Sequence, residues 1–234
     1  MSKTASSPPV TACLFDAYGT LFDVTSAARH LREDIGPSWE RLAEVWRMRQ
    51  IEYTWLRSLI GRYADFRTVT AEALDFAFAA LGQVPAPGLP DRLMDLYMTL
   101  DAYDEVPTVL AALRARGIGT AILSNGSPDM LASAIASAGI GGLLDDVLSV
   151  DAVGIYKPAP AAYQLGCTRF GVAADRLAFV SSNGWDVAGA ASFGFRTLWV
   201  NRANAPGERL PGAPMAELDS LADLPDLLSD PGRV

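Results

Sequence analysis

Two kinds of apolar patterning alternate along this 234-residue chain. Short runs rich in β-branched, aromatic and other apolar residues at 11–15, 119–123, 177–180 and 196–200 predict buried parallel strands. A weaker fifth run lies at 146–150. Helical periodicity fills the spaces between the later strands, at 106–116, 128–138, 159–170 and 185–193. Strands that alternate with helices predict an α/β fold built on a Rossmann-like, doubly wound parallel sheet.

The first two strands are about a hundred residues apart, although a parallel crossover needs only about a dozen. Residues 24–100 carry helical patterning alone, at 26–35, 39–60, 70–80 and 89–99, with Pro85 and Pro87 between the last two. This predicts a helical cap at 24–100, inserted over the strand tips of a core made from 10–23 and 101–234. A segment rich in proline and glycine at 203–215 reads as a surface loop, and 220–228 as a short closing helix.

Composition narrows the partners. Half of the residues are apolar, a fifth are charged and the formal net charge is −8. An acidic globular chain is a poor match for nucleic acid or an anionic membrane, and an anionic substrate would need locally placed cations. The two cysteines, Cys13 and Cys167, fit no metal spacing, and Cys13 lies inside the first strand as buried packing. The first nine residues lack the apolar segment of a signal peptide, and no apolar run approaches the ~20 residues of a membrane span. A reducing, cytoplasmic setting is expected. The single histidine, His30, falls on a polar helix face, which weakens schemes that need imidazole at the reacting group.

Polar residues gather at four predicted strand ends: Asp16 and Thr20; Ser124-Asn125-Gly126-Ser127; Tyr156-Lys157-Pro158; and Ser181-Ser182-Asn183-Gly184-Trp185-Asp186. Ligands bind outside the carboxyl ends of such strands, so four tips on one edge predict a site. Asp16 alone would serve equally well as a turn cap or as a nucleophile. Lys157 on a neighbouring tip tilts the balance, because a nearby cation favours the ionised, attacking carboxylate. The stretch from Ser124 to the helix at Pro128 offers anion-binding donors, and also an ordinary cap in which Ser127 is the N-cap. Trp185 reads as a ligand contact or as core.

These stretches resemble the haloacid dehalogenase-like superfamily, and within it the L-2-haloacid dehalogenases. The resemblance rests on Phe15-Asp-Ala-Tyr-Gly-Thr-Leu-Phe-Asp-Val24, Trp46-Arg47, Glu52-Tyr-Thr-Trp-Leu56, Leu123-Ser-Asn-Gly-Ser-Pro128, Tyr156-Lys-Pro158 and Phe179-Val-Ser-Ser-Asn-Gly-Trp-Asp186. It implies hydrolysis of short L-2-haloalkanoic acids to D-2-hydroxy acids. Asp16 would displace halide with inversion to form an ester, and water would then cleave that ester. Lys157 would hold Asp16 anionic; Asp186, helped by Asn183 and Ser181, would activate the water; Thr20 and Tyr163 would support the site. Ser124 would hold the substrate carboxylate, and Arg47, rather than Arg49, would draw off halide in a cradle with Asn125 and Trp185. Tyr18 would border the substrate, with Ile51 and Phe66 lining an alkyl pocket or serving as plain core. The resemblance implies no metal, no organic cofactor and a homodimer.

Absent acids separate this chemistry from its rivals. Superfamily phosphatases carry a second acid two residues after the nucleophile, where this chain has Tyr18, and paired acids after the fourth strand, where Ser182 replaces the first. A halide leaves without a proton, so the missing acid does not prevent its displacement. A Mg²⁺-dependent phosphatase and a non-catalytic binder of small anions remain the alternatives.

Overall fold

The computed structural model describes residues 9–229. The N-terminal stretch read above as unlike a signal peptide therefore lies, up to Pro8, outside the described residues. Six parallel strands form one sheet in the order β3-β2-β1-β4-β5-β6. They are β1 (Ala12–Phe15), β2 (Gly119–Ser124), β3 (Asp146–Ser149), β4 (Leu177–Ser181), β5 (Arg196–Val200) and β6 (Ala216–Leu218). Among the described residues ten α-helices accompany them: α1 (Ser26–His30), α2 (Arg32–Ile35), α3 (Trp39–Leu59), α4 (Phe66–Ala80), α5 (Leu89–Tyr97), α6 (Val106–Ala115), α7 (Pro128–Ala138), α8 (Pro160–Phe170), α9 (Gly184–Phe193) and α10 (Leu224–Ser229).

The period-two alternation of a strand sorts its side chains onto two faces. Cys13, Phe15, Ile122, Ala178 and Val180 join one buried cluster with α6 and α7. Ala12, Leu14, Ala121, Leu123 and Phe179 join a second, with Tyr163 of α8 and Ala190 of α9. Strands buried on both faces read as continuous apolar runs, which is why their positions were legible.

The chain moves outward from β1 through β2 to β3, then returns to β4 on the other side of β1. The reversal opens a crevice at the tips of β1 and β4, the position where such sheets hold ligands. Between β1 and β2 the chain forms helices α1 to α6, with α3 packed along α4 and α1 against α3 and α5. The outgoing and returning segments pair at Phe22 and Ala102, and the Asp23 amide donates to the Asp101 carbonyl at 2.8 Å.

Several boundaries depart from expectation. The helix foreseen at 26–35 breaks at Leu31 into α1 and α2. The one foreseen from residue 70 begins at Phe66, because the Asp65 side chain accepts from the Thr68 amide as N-cap. Its first turns hold Thr68, Val69 and Thr70, whose weak helix propensity hides the start, while burial of Phe66, Val69 and Thr70 compensates. Strand β6 was not foreseen: three residues at a sheet edge are too short to show a period. The closing helix starts at Leu224 rather than at residue 220. His30 is exposed, as read, and faces Asp101 at 3.0 Å.

Gly166 sits inside α8, where glycine is unfavourable, because a Cβ there would lie 2.4 Å from Leu14 Cδ1 in the sealed second cluster. Gly166→Ala gains roughly 1 kcal/mol of helix propensity but overpacks this contact by roughly 1–3 kcal/mol. Urea unfolding is expected to show a net loss; unchanged or raised stability would mean that α8 and β1 do not approach this closely.

Candidate active site

Asp16 follows β1 directly, and its amide extends the strand ladder by donating to the Val180 carbonyl at 2.9 Å. The next turn folds back tightly, with the amides of Thr20, Leu21 and Phe22 all directed at the Ala17 carbonyl. Gly19 takes φ +95° there, and a Cβ would sit 2.9 Å from Ser182 Oγ, so the turn requires glycine. It returns Thr20 to the nucleophile candidate, with Thr20 Oγ1 donating to Asp16 Oδ2 at 3.1 Å.

Lys157 reaches the same point from the loop after β3. It is fully buried, and all three ammonium protons have acceptors: Asp16 Oδ1 at 2.8 Å, Asp186 Oδ2 at 2.6 Å and the Leu123 carbonyl at 3.1 Å. Burial by itself would push the ammonium down; the charges of Asp16 and Asp186 outweigh it and hold Lys157 above its ordinary value. Asp186, from the first turn of α9, is also sealed from solvent. Its Oδ1 accepts from Tyr163 OH at 2.7 Å. Burial, opposed by Lys157 and reinforced by the Asp16 charge, lifts Asp186 to about 6. Burial and the Asp186 charge push the Tyr163 phenol far up, so it remains a donor.

Asn183 completes the cradle, its Nδ2 donating to Asp16 Oδ2 at 2.8 Å and to the Tyr18 carbonyl at 3.2 Å. The Ser181 hydroxyl accepts from the Asn183 amide at 3.1 Å, which orients that turn. From α3, Arg47 Nη2 donates to the Tyr18 carbonyl at 3.0 Å and to Asn183 Oδ1 at 3.2 Å. Arg49 instead pairs with Glu52 and lies over Phe76. Among the described residues, every partner of Arg47 is a neutral oxygen.

The remaining candidates divide. Asn125 is buried and accepts from the Lys157 amide at 3.0 Å. The Ser124 hydroxyl accepts from Gly126 at 3.1 Å within its own turn. Ser127 stands at the N-cap of α7, but its hydroxyl goes to Asp129 instead of capping the helix. Tyr18 offers the site its carbonyl; its ring packs between Phe66 and Tyr97, at 5.2 and 5.7 Å, and its buried hydroxyl has no partner among the described residues. Burial, then Tyr97, pushes that phenol well up. Phe66 belongs to the buried core beside Tyr18 and Tyr156. Ile51 is half-buried, one helical turn beyond Arg47, and joins neither buried cluster. Trp185 meets Trp55 edge-on at 5.3 Å and, with Lys157, Tyr156, Leu59 and Leu210, lines an apolar bay of about 470 Å³.

Two residues escaped the sequence reading. Gln50, fully buried, accepts from Arg47 Nη1 at 2.8 Å and from Tyr97 OH at 3.1 Å, and donates to Thr70 at 2.6 Å. The i,i+3 spacing from Arg47 was the available signal for Gln50. Tyr97 arrives from α5 and left no local signal.

The family model of haloacid dehalogenase-like hydrolases matches residues 10–194. The chain belongs to this family. It is 47% identical over 220 residues to (S)-2-haloacid dehalogenase 1 of Pseudomonas sp. strain CBS-3, covering 94% of this chain and 97% of that one. A dehalogenase crystal structure superimposes with a TM-score of 0.92 at 42% identity, covering 98% and 100% of the two chains. The L-2-haloacid dehalogenase of Xanthobacter autotrophicus, solved with chloropropionic acid covalently bound, gives 0.87 at 39% identity, covering 94% and 98%.

Lys157→Met removes the only charge between two buried carboxylates. Breaking such a cluster is expected to cost about 3–5 kcal/mol at neutral pH. The facing acids then hold their protons more tightly when folded than when unfolded, so the folded state gains relative stability as the pH falls towards about 4. Urea unfolding at pH 5 and pH 7.5 checks the sign: a deficit that is no smaller at pH 5 would mean that the carboxylates do not face each other.

Proposed function

We propose that this protein hydrolyses short L-2-haloalkanoic acids to D-2-hydroxy acids through an ester on Asp16. The observation that carries the reading is the pairing of a nucleophile held by Lys157, Thr20 and Asn183 with an arginine whose partners are all neutral. A guanidinium without a carboxylate partner retains its attraction for an anion, and its weak hydration suits a halide. In this reading residues 24–100 form the cap and 10–23 with 101–234 the core.

An Asp16 oxygen attacks C2 from the side opposite the halogen. The C–X bond breaks, its electron pair leaves with halide, and C2 inverts. Arg47 receives the halide with Asn125 and Trp185, while the Ser124 turn at the start of α7 holds the substrate carboxylate. Water then adds to the carboxyl carbon of Asp16, the ester C–O bond breaks, and D-2-hydroxy acid departs with one solvent proton. Lys157 balances the negative charge that develops in both steps. Asp186 takes the proton from water or, through Lys157, fixes the charge around it; Ser181 and Asn183 shape that turn. Tyr163 holds Asp186, and Tyr18, Ile51 and Phe66 bound the space around C2.

The donor set does not suit a divalent cation. The gap between Asp16 and Asp186 is spanned by the Lys157 ammonium at 2.8 and 2.6 Å, and the positions where phosphatases carry further acids hold Tyr18 and Ser182. Metal-assisted phosphoryl transfer is therefore the weaker reading. The reading also implies a homodimer in the cytoplasm, without nucleic-acid or membrane partners; among the described residues no helix is long and apolar enough to cross a membrane.

Chloride release from (S)-2-chloropropionate should persist in excess EDTA, and repeated turnover in ¹⁸O water should place label in Asp16 by peptide mass spectrometry. An unlabelled Asp16 after many turnovers, or phosphate-ester hydrolysis that needs Mg²⁺ in place of halide release, would overturn the reading.

The pH profile supplies a separate check. With Asp186 lifted to about 6, its ionised fraction falls tenfold for each pH unit below that value, and turnover falls with it. The acid limb belongs to the Asp16–Lys157–Asp186 cluster as a whole. Asp186→Asn should abolish this limb in whatever activity survives; an unchanged limb would assign it elsewhere.

A further inference from the structure

Arg202 touches none of the reacting groups, yet it fastens the turn that aims the nucleophile. It lies in the loop just beyond β5, with its side chain 19% exposed. Its Nη2 donates to the Thr20 carbonyl at 3.1 Å, and its Nη1 pairs with Glu105 Oε1 at 2.7 Å. Its guanidinium carbon lies 3.9 Å over the Tyr103 ring. Tyr103 and Glu105 belong to the segment that returns from α5 to α6, and the Tyr103 amide donates to the Leu21 carbonyl at 3.0 Å. One side chain thus joins three segments: the turn after the nucleophile, the return from the inserted helices and the exit of β5.

Thr20 gives this anchor a chemical consequence. The residue is fully buried, and its carbonyl accepts from Arg202 and from no other donor among the described residues. Its hydroxyl donates to Asp16 Oδ2 at 3.1 Å and accepts from the Ser182 amide at 2.8 Å. Holding the carbonyl sets the tilt of the peptide plane and therefore the direction of that hydroxyl. A planar fork can make two directed bonds while its face stacks on an aromatic ring; a lysine at this place would offer a single point charge.

We infer that Arg202 is a positioning residue: through Thr20 it sets the line along which Asp16 attacks C2. The inference rests on the dehalogenase reading. Backside displacement is sensitive to the angle and distance of approach, and a displacement of about 1 Å costs up to about a hundredfold in rate.

The test is a double-mutant cycle on halide release from (S)-2-chloropropionate, with Arg202→Gln, Thr20→Val and both together. Arg202→Gln is expected to lower kcat about ten- to a hundredfold and to leave KM within about twofold, since neither group is placed on the substrate. In the Thr20→Val background the same change should remove little more, because two residues acting in series do not add. Arg202→Lys should fall between wild type and Arg202→Gln. Unchanged kcat in Arg202→Gln, or losses that multiply fully in the double variant, would overturn the role. If Arg202→Gln does not fold by circular dichroism, Glu105→Gln loosens the guanidinium without deleting it. A kcat loss that vanishes in the Thr20→Val background then supports the role, and one that persists there refutes it. A wild type that releases no halide overturns the function and this role together; an active wild type with multiplying losses overturns this role alone.

Discussion

The buried ammonium of Lys157 is the interaction on which the rest of the site depends. Two carboxylates near each other in a dry interior repel, and each is costly to desolvate. One cation placed between them, with every proton on an acceptor, makes the arrangement tenable. The cluster still carries one net negative charge, and Arg47 stands on the other side of Asp16's turn, bonded to the Tyr18 carbonyl and to Asn183, which itself holds Asp16. A nucleophile must remain anionic and uncovered. In the proposed reaction Lys157 meets the first demand from beneath while Arg47 leaves its own charge available for the substrate.

The sheet explains how such distant residues meet. Asp16 and Lys157 are 141 positions apart, and Asp186 lies a further 29 along the chain. They converge because β1 and β4 are neighbours, the loop after β3 folds over their tips, and α9 begins where β4 ends. The inserted helices approach from above through aromatic packing: Tyr18 against Phe66 and Tyr97, and Phe66 against Tyr156. This contact sets the height of α3 over the sheet, and the Gln50 amide then fixes where Arg47 points. The inserted helices and the sheet share one buried cluster, so the position of Arg47 is coupled to the packing of that cluster.

Tyr18 illustrates how a sequence signal and its structural cause can differ. At that position the missing acid is what favours displacement of halide over phosphoryl transfer in the proposed reading. Its side chain, however, takes no visible part in the polar network: the ring is packing, and the carbonyl bonds Arg47 and Asn183. The absence of a carboxylate matters for its charge, and the presence of an aromatic ring matters for the seat of the cap.

Much was legible from local pattern. Strands buried on both faces declare themselves as unbroken apolar runs, and a polar residue that ends such a run lies at a tip, so Asp16, Ser124 and the stretch at 181–186 could be placed on one edge, with Lys157 in the loop after the weaker run. Spacing alone revealed the inserted helices. What local pattern does not encode is which of several polar groups at that edge touch. The use of all three Lys157 protons, the turning inward of the Ser124 and Ser127 hydroxyls, and the hold of Gln50 and Tyr97 on Arg47 arise from contacts between segments far apart in the chain. Fold class and chemical inventory follow from residues read in order, because hydrophobicity and charge belong to single residues. The pairing emerges in the folded chain, because direction and distance exist only once the strands are side by side and the inserted helices are seated.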